Sequence, residues 1–364
     1  MAGQRYIGLM SGTSLDGIDA VILAFDNNLC QVTHTHSLPY PEYLRTALLA
    51  LHTPSDNELE QAAITSNRLS QLYAQAITQL LAKAQLHPAD ILAVGCHGQT
   101  IRHRPELGFT LQLGNNALLA ELAEITVVGD FRSRDIAADG QGAPLVPAFH
   151  QALFAHPEII RTVINIGGIA NLSYLPIQGS ITGFDSGPGN MLMDAWIQRH
   201  LGRPFDASGT WAATGRVIEE LLQSLLAHPY FEADPPKSTG RDLFSLAWLD
   251  AFLQPDHSPA DVQRTLLEFT AHSICDAVNR YCPGTEEIYL CGGGAYNALL
   301  VQRLQQVLSL VRIGLTDELG LPVNWVEAAA FAWLARQTMH QQPGNLPAVT
   351  GAKGPRILGA IYSH

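Results

Sequence analysis

The feature of this sequence that most constrains its fold is a plan that occurs twice. Close to the start, "YIGLMSGTSLDGIDAVILAF" has the pattern of a strand, a glycine-containing turn and a second strand, and "RTVINIGGIANLSYLPI" repeats that pattern from Arg161. Apolar runs rich in β-branched residues and bounded by glycine are typical of strands joined in hairpins. Because one such hairpin opens each half of the chain, the pattern predicts a duplicated architecture of two lobes with a cleft between them.

Strands and helices alternate along both halves, which predicts an α/β fold with largely buried sheets. Between the two hairpins, apolar residues at helical spacing predict a helix over 59–81, opened by a capping box of Ser55 and Glu58. A strand that ends at Asp185 is expected to lead into a helix that starts at Asn190 and ends before Gly202. Further helices are predicted near 216–227, 243–253 and 259–282, from Asn297, and over the late segment "WVEAAAFAWLARQTMH".

With 364 residues, the chain is longer than one ordinary domain. No linker or low-complexity stretch separates the halves, and we place the division between lobes of 1–135 and 136–364. Sugar kinases, actin and the Hsp70 ATPase domain share this plan, and their two glycine hairpins hold the phosphates of a nucleotide from opposite sides.

Composition excludes several classes of partner. The net charge of -12, with 21 Lys and Arg together, gives no basic surface for nucleic acid or for an anionic membrane. No apolar run approaches the ~18 residues of a membrane span, and the first residues lack the pattern of a signal peptide. The five cysteines form no CxxC pair and lie mostly among apolar residues, which predicts buried thiols in a cytoplasmic protein.

Three glycine turns are candidates for contact with phosphates or with the rest of a nucleotide. In "MSGTSLDGID", small residues let backbone amides approach phosphate oxygens, and the hydroxyls donate further hydrogen bonds. An ordinary hairpin turn is the alternative there, since no Walker motif is present. Gly167 and Gly168 form the second hairpin tip, and "LCGGGAYN" carries Gly292 and Gly293 between a strand and a helix, where a ligand can press against backbone.

Polar side chains follow two other apolar strands, in "GCHGQT" and "GDFRSRD". Ligands bind at such strand ends in open α/β sheets, so these side chains are candidates for holding a polar substrate. They are His97, Gln99, Arg132 and Arg134. For any one of them alone, stabilisation of its own loop is an equal alternative. Glu327, in the first turn of a late helix, is a further candidate, and its alternative role is to compensate the helix dipole.

Asp185 is the one charged residue between Arg161 and Asp194. Followed by "SGPGN", it is expected at a strand end beside a helix start. A helix cap is the alternative role, but Asn190 is better placed for that. A general base has to be held firmly and left without a salt-bridge partner, and this isolation therefore favours Asp185 as a base.

Taken together, these motifs resemble the anhydro-N-acetylmuramic acid kinases, bacterial enzymes of peptidoglycan recycling in the actin, hexokinase and Hsp70 superfamily. The motifs appear in the order of that family over nearly the whole chain. They are "GLMSGTSLDGIDA", "CHGQT", "DFR", "NIGGIANL", "GFDSGPGNMLMDAW", "PKSTGRDLF", "CGGGAYN", "VEAAAFAWLA" and "NLPAVTGA". The resemblance implies a duplicated ribonuclease H-like fold, as in actin-like ATPases, with ATP and substrate in the cleft.

The resemblance also implies the site residues and the cofactors, ATP and Mg²⁺. The ATP-binding residues would be Gly12, Thr13, Ser14, Leu15, Asp16, Gly17, Ile18, Asp19, Gly167, Gly168, Gly292 and Gly293. Asp185 would be the catalytic base, and His97, Gln99, Arg132 and Glu327 would lie near the sugar. The wider superfamily has an aspartate just before its first glycines, where this chain has Leu9 and Met10, so the metal ligand stays open, with Asp16 and Asp19 as candidates.

Family members use ATP to phosphorylate O6 of 1,6-anhydro-N-acetylmuramic acid while water opens the anhydro ring. The alternatives are an ordinary hexose or amino-sugar kinase of the same fold and a non-catalytic protein switched by nucleotide. No basic helix-turn-helix precedes the first hairpin, as it does in the repressors of the superfamily. The expected partners are therefore small molecules, without nucleic acid or membrane, and a homodimer is an open alternative to a monomer.

Overall fold

The computed structural model describes residues 3–12, 15–26, 29–240 and 243–364. The chain divides into two compact units, one of Met1–Leu153 with Trp325–His364 and the other of Phe154–Asn324. This division differs from the predicted lobes of 1–135 and 136–364, because the last segment of the chain packs with the first unit. The cleft that the sequence predicts between the lobes stays a prediction.

The first unit is built on a six-stranded sheet. The elements given next precede the second unit in the chain. The strands are β1 (Gln4–Met10), β2 (Gly17–Asp26), β3 (Leu29–Pro39), β4 (Ala93–Cys96), β5 (Gln99–Arg104), β6 (Phe109–Leu113) and β7 (Val127–Gly129). The helices are α1 (Glu42–Ala50), α2 (Glu58–Ala84), α3 (Asn116–Ala123), α4 (Ser133–Ile136) and α5 (Val146–Phe154). Strands β5 and β6 form a separate two-stranded sheet.

The second unit is built on a five-stranded sheet. Its strands are β8 (Arg161–Ile166), β9 (Ile169–Leu175), β10 (Thr182–Pro188), β11 (Glu287–Cys291) and β12 (Arg312–Leu315). Its helices are α6 (Met191–Leu201), α7 (Glu219–Leu226), α8 (Leu246–Asp250), α9 (Pro259–Tyr281) and α10 (Ala298–Val307). The chain then returns to the first unit with α11 (Val326–Met339), α12 (Pro347–Thr350) and β13 (Ala360–Tyr362).

The two sheets share one strand order. The second runs β10-β9-β8-β11-β12, and the first runs β13-β7-β4-β1-β2-β3, which is the same order with β13 added at one edge. In each sheet the first three strands of the unit form an antiparallel meander, and the next two lie parallel to its first strand. The duplicated ribonuclease H-like fold predicted from the sequence is therefore confirmed.

Helix α11 lies unusually close to the first sheet, because two strands carry glycine beneath it. A Cβ at Gly8 on β1 would stand 1.8 Å from the carbonyl oxygen of Ala328, and one at Gly95 on β4 would stand 1.9 Å from that of Phe331. Neither position can hold a side chain without moving the helix. This contact returns the C-terminal segment to the first unit and fixes the first turn of α11, which carries Glu327.

Most predicted helices are confirmed, with one correction at a helix end. Helix α2 covers the predicted 59–81, but the capping box of Ser55 and Glu58 is wrong, since Asn57 is the N-cap residue and the Glu58 carboxylate instead pairs with Arg102 at 2.6 Å. Gly202 ends α6 in the left-handed conformation with φ 67°, as predicted. Among the described residues, no helix combines the length and the apolar character needed to span a bilayer.

Candidate active site

The loop of the first hairpin, residues 11–16, is anchored to the rest of its unit at both ends. Ser11 is buried, and its hydroxyl donates to the Gly98 carbonyl at 3.1 Å and lies 2.8 Å from the Tyr73 hydroxyl. The Gly12 carbonyl accepts from the side-chain amide of Gln99 at 3.1 Å and from the Leu15 amide at 3.2 Å. These bonds, with that from the Tyr40 amide to the Asp16 carbonyl at 3.0 Å, fix the described residues on both sides of Thr13 and Ser14.

The individual residues of this loop fall into distinct classes. Leu15 and Ile18 are buried core side chains, so only their backbone can take part in binding ATP. A Cβ at Gly17 would stand 2.4 Å from the Leu38 carbonyl oxygen, which explains glycine there by contact with β3. The predicted contacts of Thr13 and Ser14 lie outside the described residues.

Gln99, predicted near the sugar, has a different place in the structure. Its side chain is fully buried, and its carbonyl oxygen accepts from the Tyr40 hydroxyl at 3.2 Å while its amide holds Gly12. Both polar ends are thus engaged within the first unit. The geometry makes Gln99 a residue that positions the hairpin loop, and its contact with sugar stays a prediction.

His97 and Arg132 form a bonded pair at the ends of β4 and β7. The guanidinium donates to the His97 Nε2 from Nη2 at 3.0 Å and from Nε at 3.3 Å. Burial, with the Arg132 charge, lowers the pKa of His97 to about 3, so the ring is neutral and accepts at Nε2. The Phe331 ring packs against the imidazole with the two centroids 4.7 Å apart. The pair therefore presents a fixed guanidinium, and some of its N–H groups donate to no residue that the structure describes.

Arg132 is also held from its other side by a network that the sequence reasoning missed. Its Nη1 donates to the Gly142 carbonyl at 2.8 Å, and the Gly142 amide donates to the Asp135 carboxylate at 2.8 Å. Asp135 is fully buried and also accepts from Asn345 at 2.7 Å and from Thr350 at 2.8 Å. The late motif "NLPAVTGA" thus supports Arg132, a role that no local sequence signal could have indicated.

Three carboxylates of the first unit influence one another. Burial raises the pKa of Glu327, an effect opposed by Arg132 and reinforced by Asp19. Burial also raises the pKa of Asp19, against a 2.6 Å hydrogen bond donated by Ser37 and with a further contribution from Asp16. Asp16 itself is exposed. In the described part of the chain, no group of three or more His, Cys, Asp or Glu side chains has the arrangement of a metal site.

The second hairpin tip, Gly167 and Gly168, lies against the start of α6. The Gly168 carbonyl accepts from the Gly189 amide at 2.9 Å, and the Gly167 carbonyl accepts from the Asn190 amide at 2.8 Å. A Cβ at Gly168 would meet nothing closer than the Met191 Cβ at 3.8 Å, so space remains beside the tip. Asn190 does not cap the helix with its side chain, contrary to the prediction, and donates instead to the Ile166 carbonyl at 3.2 Å.

Asp185 lies inside β10, three residues before its end, and not at the strand end that the sequence predicts. Strand β10 is the edge of its sheet, and the register shifts by a bulge between Asp185 and Gly187. Burial raises the pKa of Asp185 to about 6, while a hydrogen bond from the Thr239 amide to Oδ2 at 3.0 Å acts in the opposite direction. No basic side chain among the described residues forms a salt bridge with it.

A cavity of about 430 Å³ lies in the second unit beside the triple glycine. Gly292 follows β11 with φ 78°, and Gly293 begins a short 3-10 helix that leads to α10. Gly293, Asn190, Tyr296 and Asn324 are among the residues that line the cavity. Of these, the sequence analysis named only Gly293 as a ligand contact; Asn190 and Asn324 come from separate segments, and Tyr296 belongs to the same motif as Gly293.

The family assignment follows from comparison with known proteins. Residues 4–364 match the family model described as anhydro-N-acetylmuramic acid kinase. The chain belongs to the anhydro-N-acetylmuramic acid kinase family. It is 59% identical to the anhydro-N-acetylmuramic acid kinase of Nitrosomonas europaea over 98% of this chain and 99% of that protein. It is 57% identical to the protein of the same name from Nitrosospira multiformis over the full length of both.

Among solved structures, the chain resembles component A of (R)-2-hydroxyglutaryl-CoA dehydratase from Acidaminococcus fermentans. The TM-score is 0.49 and the identity 13%, over 90% of this chain and 96% of that one. A similarity of this size does not bear on function.

Proposed function

We propose that this protein uses ATP to convert 1,6-anhydro-N-acetylmuramic acid into N-acetylmuramic acid 6-phosphate and ADP, in the recycling of peptidoglycan in the cytoplasm. The full-length family match supports the reaction class. The observation that carries the proposal is Asp185, a partly buried carboxylate with one oxygen held by a backbone amide and no cationic partner among the described side chains.

The chemistry needs one base. In the anhydro sugar O6 carries no proton, because it is bound to C1. A water molecule attacks C1 and gives a proton to Asp185, the C1–O6 bond breaks, and O6 accepts the γ-phosphoryl group as ADP leaves. A carboxylate with a pKa near 6 is largely ionised at neutral pH and still basic enough to take that proton. The remaining part of the catalysis is alignment and charge stabilisation.

We place the adenosine part of ATP in the cavity beside Gly293. Its volume of about 430 Å³ is within the range of small-molecule sites. Asn190, Asn297 and Asn324 supply hydrogen-bonding groups, and Met193 and Phe205 supply apolar walls. Amides of the two glycine hairpin tips are assigned to the phosphates, in line with the roles that the sequence predicts for Gly12, Gly167 and Gly168.

Mg²⁺ fits the acidic residues of the first hairpin. Mg²⁺ in nucleotide sites is usually held by one or two carboxylates together with phosphates and waters. Asp19 is partly buried, its pKa is raised by burial and by Asp16, and no basic side chain among the described residues opposes that shift. Asp19 is the better candidate ligand, since Asp16 is exposed. The ion would neutralise phosphate charge.

The anionic lactyl group of the sugar fits Arg132. Three of its five N–H groups donate to His97 and Gly142, and the other two have no partner in the described part of the chain, which leaves them for a carboxylate. Glu327, with a raised pKa, is assigned to a sugar hydroxyl.

The proposal is tested by incubating the protein with ATP and the anhydro sugar in ¹⁸O-labelled water. Mass spectrometry should find the sugar phosphate with label on C1 and none in the phosphate. Because the 1,6-bridge occupies the β face of C1, prompt NMR should show the α-anomer first. Glucose and N-acetylglucosamine serve as control acceptors, and preferential phosphorylation of either one would favour an ordinary hexose kinase. Label in the phosphate would contradict the role of Asp185.

A further inference from the structure

The motif "PKSTG" has no assigned role, and the structure places it directly beside Asp185. We use the name strap for Lys237–Gly240. Together with the 3-10 turn Pro229–Phe231, the strap covers the open edge of β10 at Asp185. These two segments lie far from Asp185 in sequence, so their position is a property of the folded second unit.

The strap and the turn satisfy the backbone groups of Asp185. On its inner side β10 pairs with β9, where Asp185 stands opposite Asn171. On the outer side an edge strand leaves N–H and C=O groups unpaired. Here the Asp185 amide donates to the Lys237 carbonyl at 3.1 Å, and the Asp185 carbonyl accepts from the Tyr230 hydroxyl at 2.6 Å. The peptide groups on both sides of the Asp185 Cα are therefore fixed.

The carboxylate is fixed at one oxygen only. The Thr239 amide donates to Oδ2 at 3.0 Å, and Oδ1 accepts no hydrogen bond from any residue that the structure describes. An amide bound to Oδ2 favours the charged form of the carboxyl group and sets its plane. Oδ1 is thus the oxygen left to receive a proton.

The turn is itself held in place. The Lys237 ammonium donates to the Tyr230 carbonyl at 3.3 Å and lies 5.0 Å from the centre of the Tyr230 ring. Phe231 packs against the bulge that follows Asp185, where a Cβ at Gly187 would stand 2.8 Å from its ring. Burial and the Asp185 charge raise the pKa of Tyr230, so its hydroxyl remains a donor at neutral pH.

We propose that Tyr230, Lys237 and Thr239 form a clamp that aims Oδ1 of Asp185 at the reacting water. They are positioning residues, and the proposal rests on the role of Asp185 proposed above. Loosening the clamp should lower kcat more than it changes KM, because alignment matters in the transition state and other residues are proposed to bind the substrates. Losing the Thr239 amide should also move the titration of Asp185 to higher pH, since that amide stabilises the charged form.

Several other ionisable or charged side chains lie on the same side of β10 as the strap. Among the described residues they include Tyr230 of the turn, Lys237 of the strap, Glu232 and Asp234 between them, and Asp276, Arg280 and Tyr281 of α9. Burial and the Thr239 amide are the two causes that act on Asp185 itself.

The test compares Tyr230→Phe and Thr239→Pro with Tyr174→Phe. Tyr174 donates to the Pro283 carbonyl at 2.8 Å, so its variant loses the same kind of bond elsewhere in the second unit. We expect Tyr230→Phe to lower kcat about tenfold with KM changed less than about twofold. Thr239→Pro should shift the acidic limb of the rate profile to higher pH, and ¹³C NMR titration of the Asp185 carboxyl should show the same shift without substrate.

The outcomes separate the clamp from the role of the base. Unchanged kcat and titration in both variants would overturn the clamp. Equal losses in Tyr230→Phe and Tyr174→Phe, accompanied by a lower melting temperature, would also overturn it, because they indicate a structural effect alone. If Thr239→Pro does not fold, the test rests on whether Tyr230→Phe lowers kcat and leaves KM nearly unchanged. Wild-type turnover of Asp185→Asn would instead contradict the role of Asp185 as the base, whatever the clamp variants show.

Discussion

At the scale of single residues, the proposed chemistry depends on a carboxylate that is buried without an ionic partner. A buried acid usually has a basic partner, because removing a charge from water is costly. Asp185 receives one amide hydrogen bond and no ion pair from the described residues, and burial raises its pKa to about 6. Glu268 shows the contrast in the same unit, since it is more deeply buried but bonded to Arg264 and Arg303 at 2.9 and 2.7 Å.

Replacing Asp185 with asparagine should lower turnover at least ~10²-fold, the usual effect of losing a general base. The side-chain oxygen of asparagine can still accept from the Thr239 amide, so the fold should persist. Steady-state kinetics and calorimetric ATP binding measure the two effects. Asp256→Asn, at an exposed position of the same unit, is the matched control. Near-normal turnover of Asp185→Asn with retained fold would move the role to another acid.

The pH dependence follows from the same residue. Below about pH 6 the carboxyl group of Asp185 is protonated and cannot accept a proton from water, so activity should fall. Above that pH the carboxylate is available and the rate should reach a plateau. The measurement is kcat/KM for the sugar against pH at saturating ATP and Mg²⁺. An acidic limb near pH 4, the range of an ordinary aspartate, would contradict the effect of burial.

At the scale of elements, glycines divide into those required by packing and those that leave space. Gly294 belongs to the first class, since a Cβ there would stand 2.3 Å from Ile166. Its neighbour Gly293 belongs to the second, with nothing closer than Asn190 at 3.8 Å, and it lines the cavity assigned to adenosine. The two adjacent glycines thus have different roles: Gly294 permits close packing, and Gly293 leaves space in the cavity.

This difference predicts opposite outcomes for two alanine substitutions. Gly293→Ala should keep its melting temperature and bind ATP more weakly, because the new methyl group enters the cavity. Gly294→Ala should lower the free energy of unfolding by ~1–3 kcal/mol through overpacking. Thermal unfolding and calorimetric titration with ATP distinguish the two. Unchanged ATP affinity in a folded Gly293→Ala protein would place the adenosine elsewhere.

At the scale of the whole molecule, the two units differ in how the chain builds them. The second unit is one continuous segment, Phe154–Asn324, with its own apolar core around α9. The first needs both ends of the chain, because α11 from the C-terminal segment covers β1 and β4 at Gly8 and Gly95. We therefore expect only the second unit to fold from one continuous segment of the chain.

A fragment of residues 154–324 should consequently fold alone and unfold cooperatively. A chain ending at residue 324 should lose the first unit, since the face of its sheet beneath α11 would be exposed. Circular dichroism and NMR of the two shortened chains measure this. A fragment 154–324 without dispersed amide signals, or a stable first unit in the truncated chain, would contradict the expectation.

Much of the fold could be predicted because its signals are local. Periodicity marked α2, apolar runs marked the strands, and the repeated hairpins indicated the duplication. The isolation of Asp185 among uncharged neighbours along the chain also pointed to a base. Helix ends were less predictable: Glu58 was assigned to a cap but pairs with Arg102, a partner distant in sequence.

The sequence by itself therefore determined the α/β class, the duplication, the family motifs and the chemical types of the site residues. Only the tertiary structure decided the environment of those residues. Gln99 supports the hairpin loop, Asp135 and the C-terminal motif hold Arg132, and the strap holds Asp185. The reason is physical: burial and hydrogen bonding depend on segments that meet only in the folded chain, whereas helix and strand patterns are written in neighbouring residues.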